Sequence, residues 1–133
     1  MKEKIGTLTG KWSYEEDYGY GVAKGELLLR QEGNTLKGKI IFAEIVNGEQ
    51  AFMIQEYLQG EVKANRVYLN ATEYDIIHST EPIDYELDSW NGILVAEDII
   101  EGESIDDQGI VGYFSFRRIK ENRQGNEMVD SGL

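Results

Sequence analysis

The sequence predicts an all-β fold, a single antiparallel up-and-down meander closed into a barrel of about eight strands. Three observations predict it. Helical periodicity is nearly absent, while short runs rich in β-branched and aromatic residues recur between Gly, Asn and Asp clusters. The clusters are short and hold residues that tolerate positive φ, which joins successive strands as antiparallel neighbours. An apolar residue, any residue, then glycine recurs as Leu8-Thr9-Gly10, Leu36-Lys37-Gly38, Leu58-Gln59-Gly60, Trp90-Asn91-Gly92, Ile100-Glu101-Gly102 and Ile110-Val111-Gly112. Glycine weakens a strand unless a close approach needs the missing side chain, as the coiled strands of a small barrel do. Closure also removes the sticky edges a long meander would expose.

Strand-forming runs lie at 6–15, 23–31, 35–45, 51–59, 60–64, 66–74, 84–98, 99–104 and 110–119. Turn chemistry separates them at Glu32-Gly33-Asn34, Asn47-Gly48-Glu49, Ala64-Asn65-Arg66 and Asp106-Asp107-Gln108-Gly109. The one proline, Pro82, falls in a polar segment from His78 to Asp84, which is expected to be the longest loop. Residues 1–119 are expected to form the barrel domain, and 120–133, polar and without period, a disordered tail.

A chain of 133 residues with 41% hydrophobic content builds one core, not two. Its net charge of −12, from 25 acidic against 13 basic residues, repels phosphate and argues against nucleic acid and anionic membranes as partners. With no cysteine, packing and ladder hydrogen bonds must hold the fold, which suits a reducing compartment. No apolar run follows Lys2, Glu3 and Lys4 and no stretch reaches membrane-spanning length, so a cytoplasmic location is expected unless a signal was removed beforehand.

Leu8-Thr9-Gly10-Lys11-Trp12 sets a Gly-x-Trp on the first strand, and Arg117 and Arg118 end the last strand after Tyr113, Phe114 and Phe116. Over roughly residues 6–119 this resembles the calycin superfamily of lipocalins, fatty-acid-binding proteins and avidins, and bacterial lipocalin-like members in particular. The resemblance implies that Trp12 plugs one barrel end and that an arginine, Arg117 or Arg118, lies across it, a cation–π contact whose donors also tie down chain ends. The opening words look like an avidin, but Ser13-Tyr14-Glu15-Glu16-Asp17 lacks the Asn and Ser that avidins place on biotin, so biotin is not implied.

Catalytic signals are weak. His78, the only histidine, rules out clustered histidine ligands, and its neighbours Ser79, Thr80 and Glu81 point apart on an extended chain, so it reads as a solvent-facing loop residue. Glu97, Asp98, Glu101, Glu103, Asp106 and Asp107 bracket a hairpin without matching any calcium-loop spacing. Phosphate-loop, dinucleotide and nucleophile-elbow motifs are absent. No metal and no cofactor is expected.

The aromatic residues carry the functional expectation. A barrel of about eight strands is either filled by its own side chains or holds one small ligand. The leading expectation is non-enzymatic binding of a small apolar or aromatic ligand, lined by Tyr14, Leu28, Phe42, Tyr57, Tyr68 and Trp90. The alternative is a filled barrel that engages a protein partner or itself. An enzyme reading ranks last and would need two titratable groups converging inside.

Overall fold

The computed structural model describes residues 7–79 and 85–120. Eight strands follow in chain order: β1 Gly10–Asp17, β2 Gly21–Glu32, β3 Thr35–Val46, β4 Glu49–Lys63, β5 Arg66–Ser79, β6 Asp88–Ala96, β7 Ile99–Asp106 and β8 Val111–Arg118. Each pairs antiparallel with the next and β8 returns to β1, so the sheet closes into a barrel. Strand period two gives the wall its two faces. On β1, Trp12, Tyr14 and Glu16 are buried while Lys11, Glu15 and Asp17 are exposed. Among the described residues no helix is long and apolar enough to cross a membrane.

Three expected boundaries change. The runs at 51–59 and 60–64 are one strand, because nothing at Gln59-Gly60-Glu61 turns the chain. Gly60 lies flat against β5, where a Cβ would overlap the Tyr68 carbonyl, so here glycine permits coiling rather than a turn. β5 continues to Ser79, which places His78 on a strand opposite Met53 rather than in a loop, with its side chain exposed. β6 runs only from Asp88 to Ala96, and Glu97 and Asp98 form the turn to β7. Residues 80–84, with Pro82, and 121–133, most of the expected tail, lie outside the described residues.

The two ends of the barrel differ. At the end holding the start of β1, the turns 33–34, 64–65 and 97–98 are stitched to neighbouring strands. The Val62 N–H donates to the Asn34 carbonyl, Leu94 to Asn65, Arg118 to Asp98 and Ile119 to Lys11. Beneath that rim Leu8, Trp12, Leu27, Leu36, Leu58 and Leu69 are buried together. Each such side chain removed from water contributes roughly 1.5–3 kcal/mol.

Trp12 is fully buried and its indole N–H donates to the Leu8 carbonyl at 3.0 Å. Arg118 lies over the ring at 4.4 Å from its centroid. Its guanidinium also donates to the carbonyls of Thr7 at 2.9 Å and Thr9 at 3.1 Å and to Asp98 at 2.8 Å. Arg117 does none of this: it is exposed on the outer wall, 4.0 Å from Glu101. Of the two expected closure arginines, only Arg118 reaches Trp12, because successive residues of a strand point to opposite faces.

Candidate functional site

The interior changes chemistry halfway along the barrel. Tyr14, Phe42, Trp90 and Phe116 are fully or almost fully buried at mid-height and pack on each other. The Tyr14 ring stands 5.4 Å from Phe42, 6.3 Å from Trp90 and 5.5 Å from Phe116. This aromatic layer is a floor. Above it, toward the end holding Tyr18 and the start of β6, the inward positions turn polar.

Glu16 is the next inward residue of β1 after Trp12 and Tyr14. Its carboxylate is buried and accepts from the Tyr14 hydroxyl, the Ser104 hydroxyl and, at 3.3 Å, the Trp90 indole N–H. A Cβ at position 112 would strike this carboxylate, so Gly112 makes the room it occupies. Burial pushes the Glu16 carboxyl above its usual range, and the three donors hold it back.

Asp88, the first residue of β6, is buried and accepts from the Tyr85 hydroxyl. Burial raises its carboxyl to about 7, against the pull of that bond. Glu56 sits inward on β4 between Ile54 and Leu58 and is fully buried. It lies against Asp88 and Tyr85, the polar groups within its reach, yet neither of its carboxyl oxygens makes a hydrogen bond of good geometry to a described residue. Burial first, and then the neighbouring Asp88, push it up to about 10. The β4–β5 ladder shifts register on either side of Glu56, at Met53/Ile54 and at Tyr57/Leu58. Such irregularities re-aim side chains and occur next to functional sites.

Aromatic rings and a fourth acid frame the three carboxyls. Phe52 meets Tyr85 edge-on at 5.7 Å and Tyr74 meets it at 5.2 Å. Tyr18 stacks on Tyr20 at 5.6 Å. Burial raises Tyr14, Tyr18 and Tyr85 well above 10, so all three stay protonated and can donate. Glu44 is half-buried and raised by burial, with Glu16 and Asp106 nearby. Among the described residues every lysine, arginine and histidine lies outside the buried set. The acids of this half therefore have no internal cation among the described residues.

The expected ligand-lining residues divide. Tyr14, Phe42 and Trp90 come together in the floor. Leu28, Tyr57 and Tyr68 do not join them, because their strands take the opposite phase. Leu27 and Leu29, Glu56 and Leu58, and Val67 and Leu69 face in, which turns the residue between each pair outward. Leu28 and Tyr57 instead line an outer cleft of about 510 Å³ with Arg30, Lys37 and Lys39. Tyr68 lines another of about 420 Å³ with Asn70, Asn91 and Ile105. Of the hairpin acids, Asp98 is engaged by Arg118 and Lys120, which hold its carboxyl below its usual range. Among the described residues no group of acids or histidines is placed to hold a metal ion.

Residue type and motif do not single out Glu16, Glu56, Asp88 and Ser104, and mark Tyr18 and Tyr85 only as members of the aromatic set. A usable signal does exist: Glu56 falls in the even-numbered phase shared by Phe52, Ile54, Leu58 and Val62, and Glu16 in the phase of Trp12 and Tyr14. An acid in an apolar stripe marks an exception to binary patterning.

No family model matches the chain, and no curated protein matches its sequence. Solved structures match its fold. A redesigned β-barrel, mFAP1, bound to DFHBI is 13% identical with a TM-score of 0.60, covering 84% of this chain and 94% of that one. A fluorescence-activating β-barrel designed de novo is 13% identical with a TM-score of 0.56, covering 90% of this chain and 100% of that one. EF1p2_mFAP2b bound to DFHBI is 10% identical with a TM-score of 0.58, covering 84% and 94%. At such identities the likeness is one of fold.

Proposed function

We propose that this chain is a non-enzymatic binding protein of the lipocalin-like kind that takes a small aromatic molecule into the half of its barrel above the Tyr14–Phe42–Trp90 floor. The observation that carries the reading is Glu56, a fully buried carboxyl with both oxygens unpaired among the described residues. An unsatisfied buried polar group costs about 1–3 kcal/mol, more when charged, and calls for an explanation. A ligand that supplies the missing donors is such an explanation. The aromatic walls suit a flat body, and DFHBI, the ligand in several barrels of similar fold, is a small aromatic dye. The resemblance of the Gly-x-Trp and terminal arginine to calycins supports the same reading.

Glu56 and Asp88 do converge, as an enzyme would require. The nearby hydroxyls of Ser104 and Tyr85, however, are committed to Glu16 and Asp88. Binding accounts for the geometry without chemistry.

The test is a thermal-shift and tryptophan-fluorescence titration against fatty acids, retinoids, haem, biotin and aromatic metabolites. A ligand at 100 times its Kd stabilises by about 2.7 kcal/mol. Saturable stabilisation by an aromatic class, with quenching lost in Trp90→Phe, is the expected result. Silence across the panel overturns it.

One feature favours the alternative of an interaction module. The outer wall of β6–β8 exposes Ile93, Ile105, Val111 and Tyr113, the first three around a cleft of about 350 Å³. Exposed apolar surface of this kind marks association sites. Concentration-dependent sedimentation relieved by Ile105→Lys would support that reading.

A further inference from the structure

We propose that the ligand of this site is a cation, an aromatic body carrying an ammonium or amidinium head, with Glu56 and Asp88 as its counter-charge. The inference rests on the binding reading above and adds the charge of the occupant.

Three observations lead to it. First, the buried polar set among the described residues is three carboxyls and one hydroxyl: Glu16, Glu56, Asp88 and Ser104. A barrel evolved for an apolar or anionic guest has no use for three acids at its inner surface, since burying a carboxylate without a partner is costly. Second, the acids differ in how well they are satisfied. Glu16 has three donors and Asp88 has the Tyr85 hydroxyl, whereas Glu56 has none among the described residues. Neither Glu56 oxygen is tied up in a well-formed hydrogen bond to a described residue, and a planar amidinium or guanidinium-like head offers two parallel N–H groups that match a carboxylate. Third, the described lysines and arginines all stay out of the buried interior, so no described cationic side chain competes for Glu56. Phe52, Tyr85 and Tyr18 place aromatic rings in the same half of the barrel, a chemistry that suits a cation.

The test compares two molecules of one shape. Benzamidinium and neutral benzamide differ by the charge and donors of the head. Each is titrated by calorimetry into the wild-type chain at pH 8, and the Trp90 indole N–H, which donates to Glu16, is followed by NMR. Charge-assisted pairing predicts that benzamidinium binds at least about tenfold tighter than benzamide and moves the Trp90 signal. Glu56→Gln and Asp88→Asn keep shape and remove the negative charge each carboxyl can offer once the cation displaces its proton, so each should reduce that preference to about threefold or less. Glu15→Gln, on the outer face of β1, should leave it unchanged.

The other outcomes overturn the proposal in distinguishable ways. Equal binding of both probes removes the cationic head but leaves the aromatic binding reading standing. Benzamidinium binding that persists in Glu56→Gln, or that leaves the Trp90 signal in place, assigns the cation to the acidic exterior. No binding of either probe up to about 10 mM removes the cationic head, and the binding reading then stands or falls on the wider ligand panel.

Discussion

The two ends of this barrel are made from the same strands and solve opposite problems. At the Trp12 end every described polar group of the plug is used. The indole donates to Leu8, and the Arg118 guanidinium spans Thr7, Thr9 and Asp98 above the ring. At the Asp88 end the inward positions carry acids, and Glu56 has no partner among the described residues. A fold held by packing and hydrogen bonds, without disulfides, has one end that stores stability and one that gives some of it up. Sites that give up stability in this way are where function is expected.

The largest effect should come from breaking the closed end. Trp12→Ala removes a fully buried indole and the platform under Arg118. A loss of about 3–5 kcal/mol is expected, or on the order of 10–20 °C in melting temperature, read by chemical and thermal unfolding. A loss below about 1 kcal/mol would show that this end is not the structural anchor.

The closed end was legible in the sequence and the open end was not, for a physical reason. Gly-x-Trp and a terminal arginine are local signals, and alternation on β1 puts Trp12 and Tyr14 on one face without ambiguity. The inner face of β2 is hidden by Leu27-Leu28-Leu29, where three apolar residues fit either phase, and the structure turns Leu28 out. On β4 residue type points the wrong way. Hydropathy would bury Tyr57 and expose Glu56, yet Phe52, Ile54, Leu58 and Val62 hold the strand in the phase that does the reverse. The position where the local rule loses to the strand as a whole is the one with the unpaired carboxyl.

A second, intermediate effect sharpens the comparison through pH. Glu56 has an ordinary value of 4.5 and stands at about 10 in the fold, so between these values the native state holds a proton that the unfolded chain has released. Stability is therefore greatest below about pH 5 on this account and falls as pH rises toward 9. Asp88, raised from 3.8 to about 7, adds a loss of the same sign at lower pH. Glu56→Gln should flatten the curve and be more stable than wild type by about 2 kcal/mol at pH 8, with little difference at pH 5. Urea unfolding of both proteins across that range checks it. A wild-type curve that rises from pH 5 to 9 would contradict the buried, partnerless state of Glu56. The closed end has the opposite sign: Asp98 is held low by Lys120 and Arg118, so what it adds is present above its ordinary value of 3.8 and is lost only in acid.

The smallest effect separates two adjacent arginines. Arg118→Ala loses the ring contact and three hydrogen bonds, for about 1–2 kcal/mol. Arg118→Lys keeps the charge but cannot reach three acceptors with one compact ammonium, so it should recover only part of that. Arg117→Ala breaks one exposed pair at 4.0 Å, with both side chains about half in water, and should change stability by no more than about 0.5 kcal/mol. The pair is informative because charge, composition and position along the chain are nearly the same, and only the face differs. If the two alanine variants melt together, the arginine acts through the net charge of this acidic protein, and Trp12 closes the barrel without it. If they separate as expected, one residue of register decides whether an arginine is a structural clamp or a solvated surface charge. The same one-residue choice on β4 puts Glu56 inside and Tyr57 out.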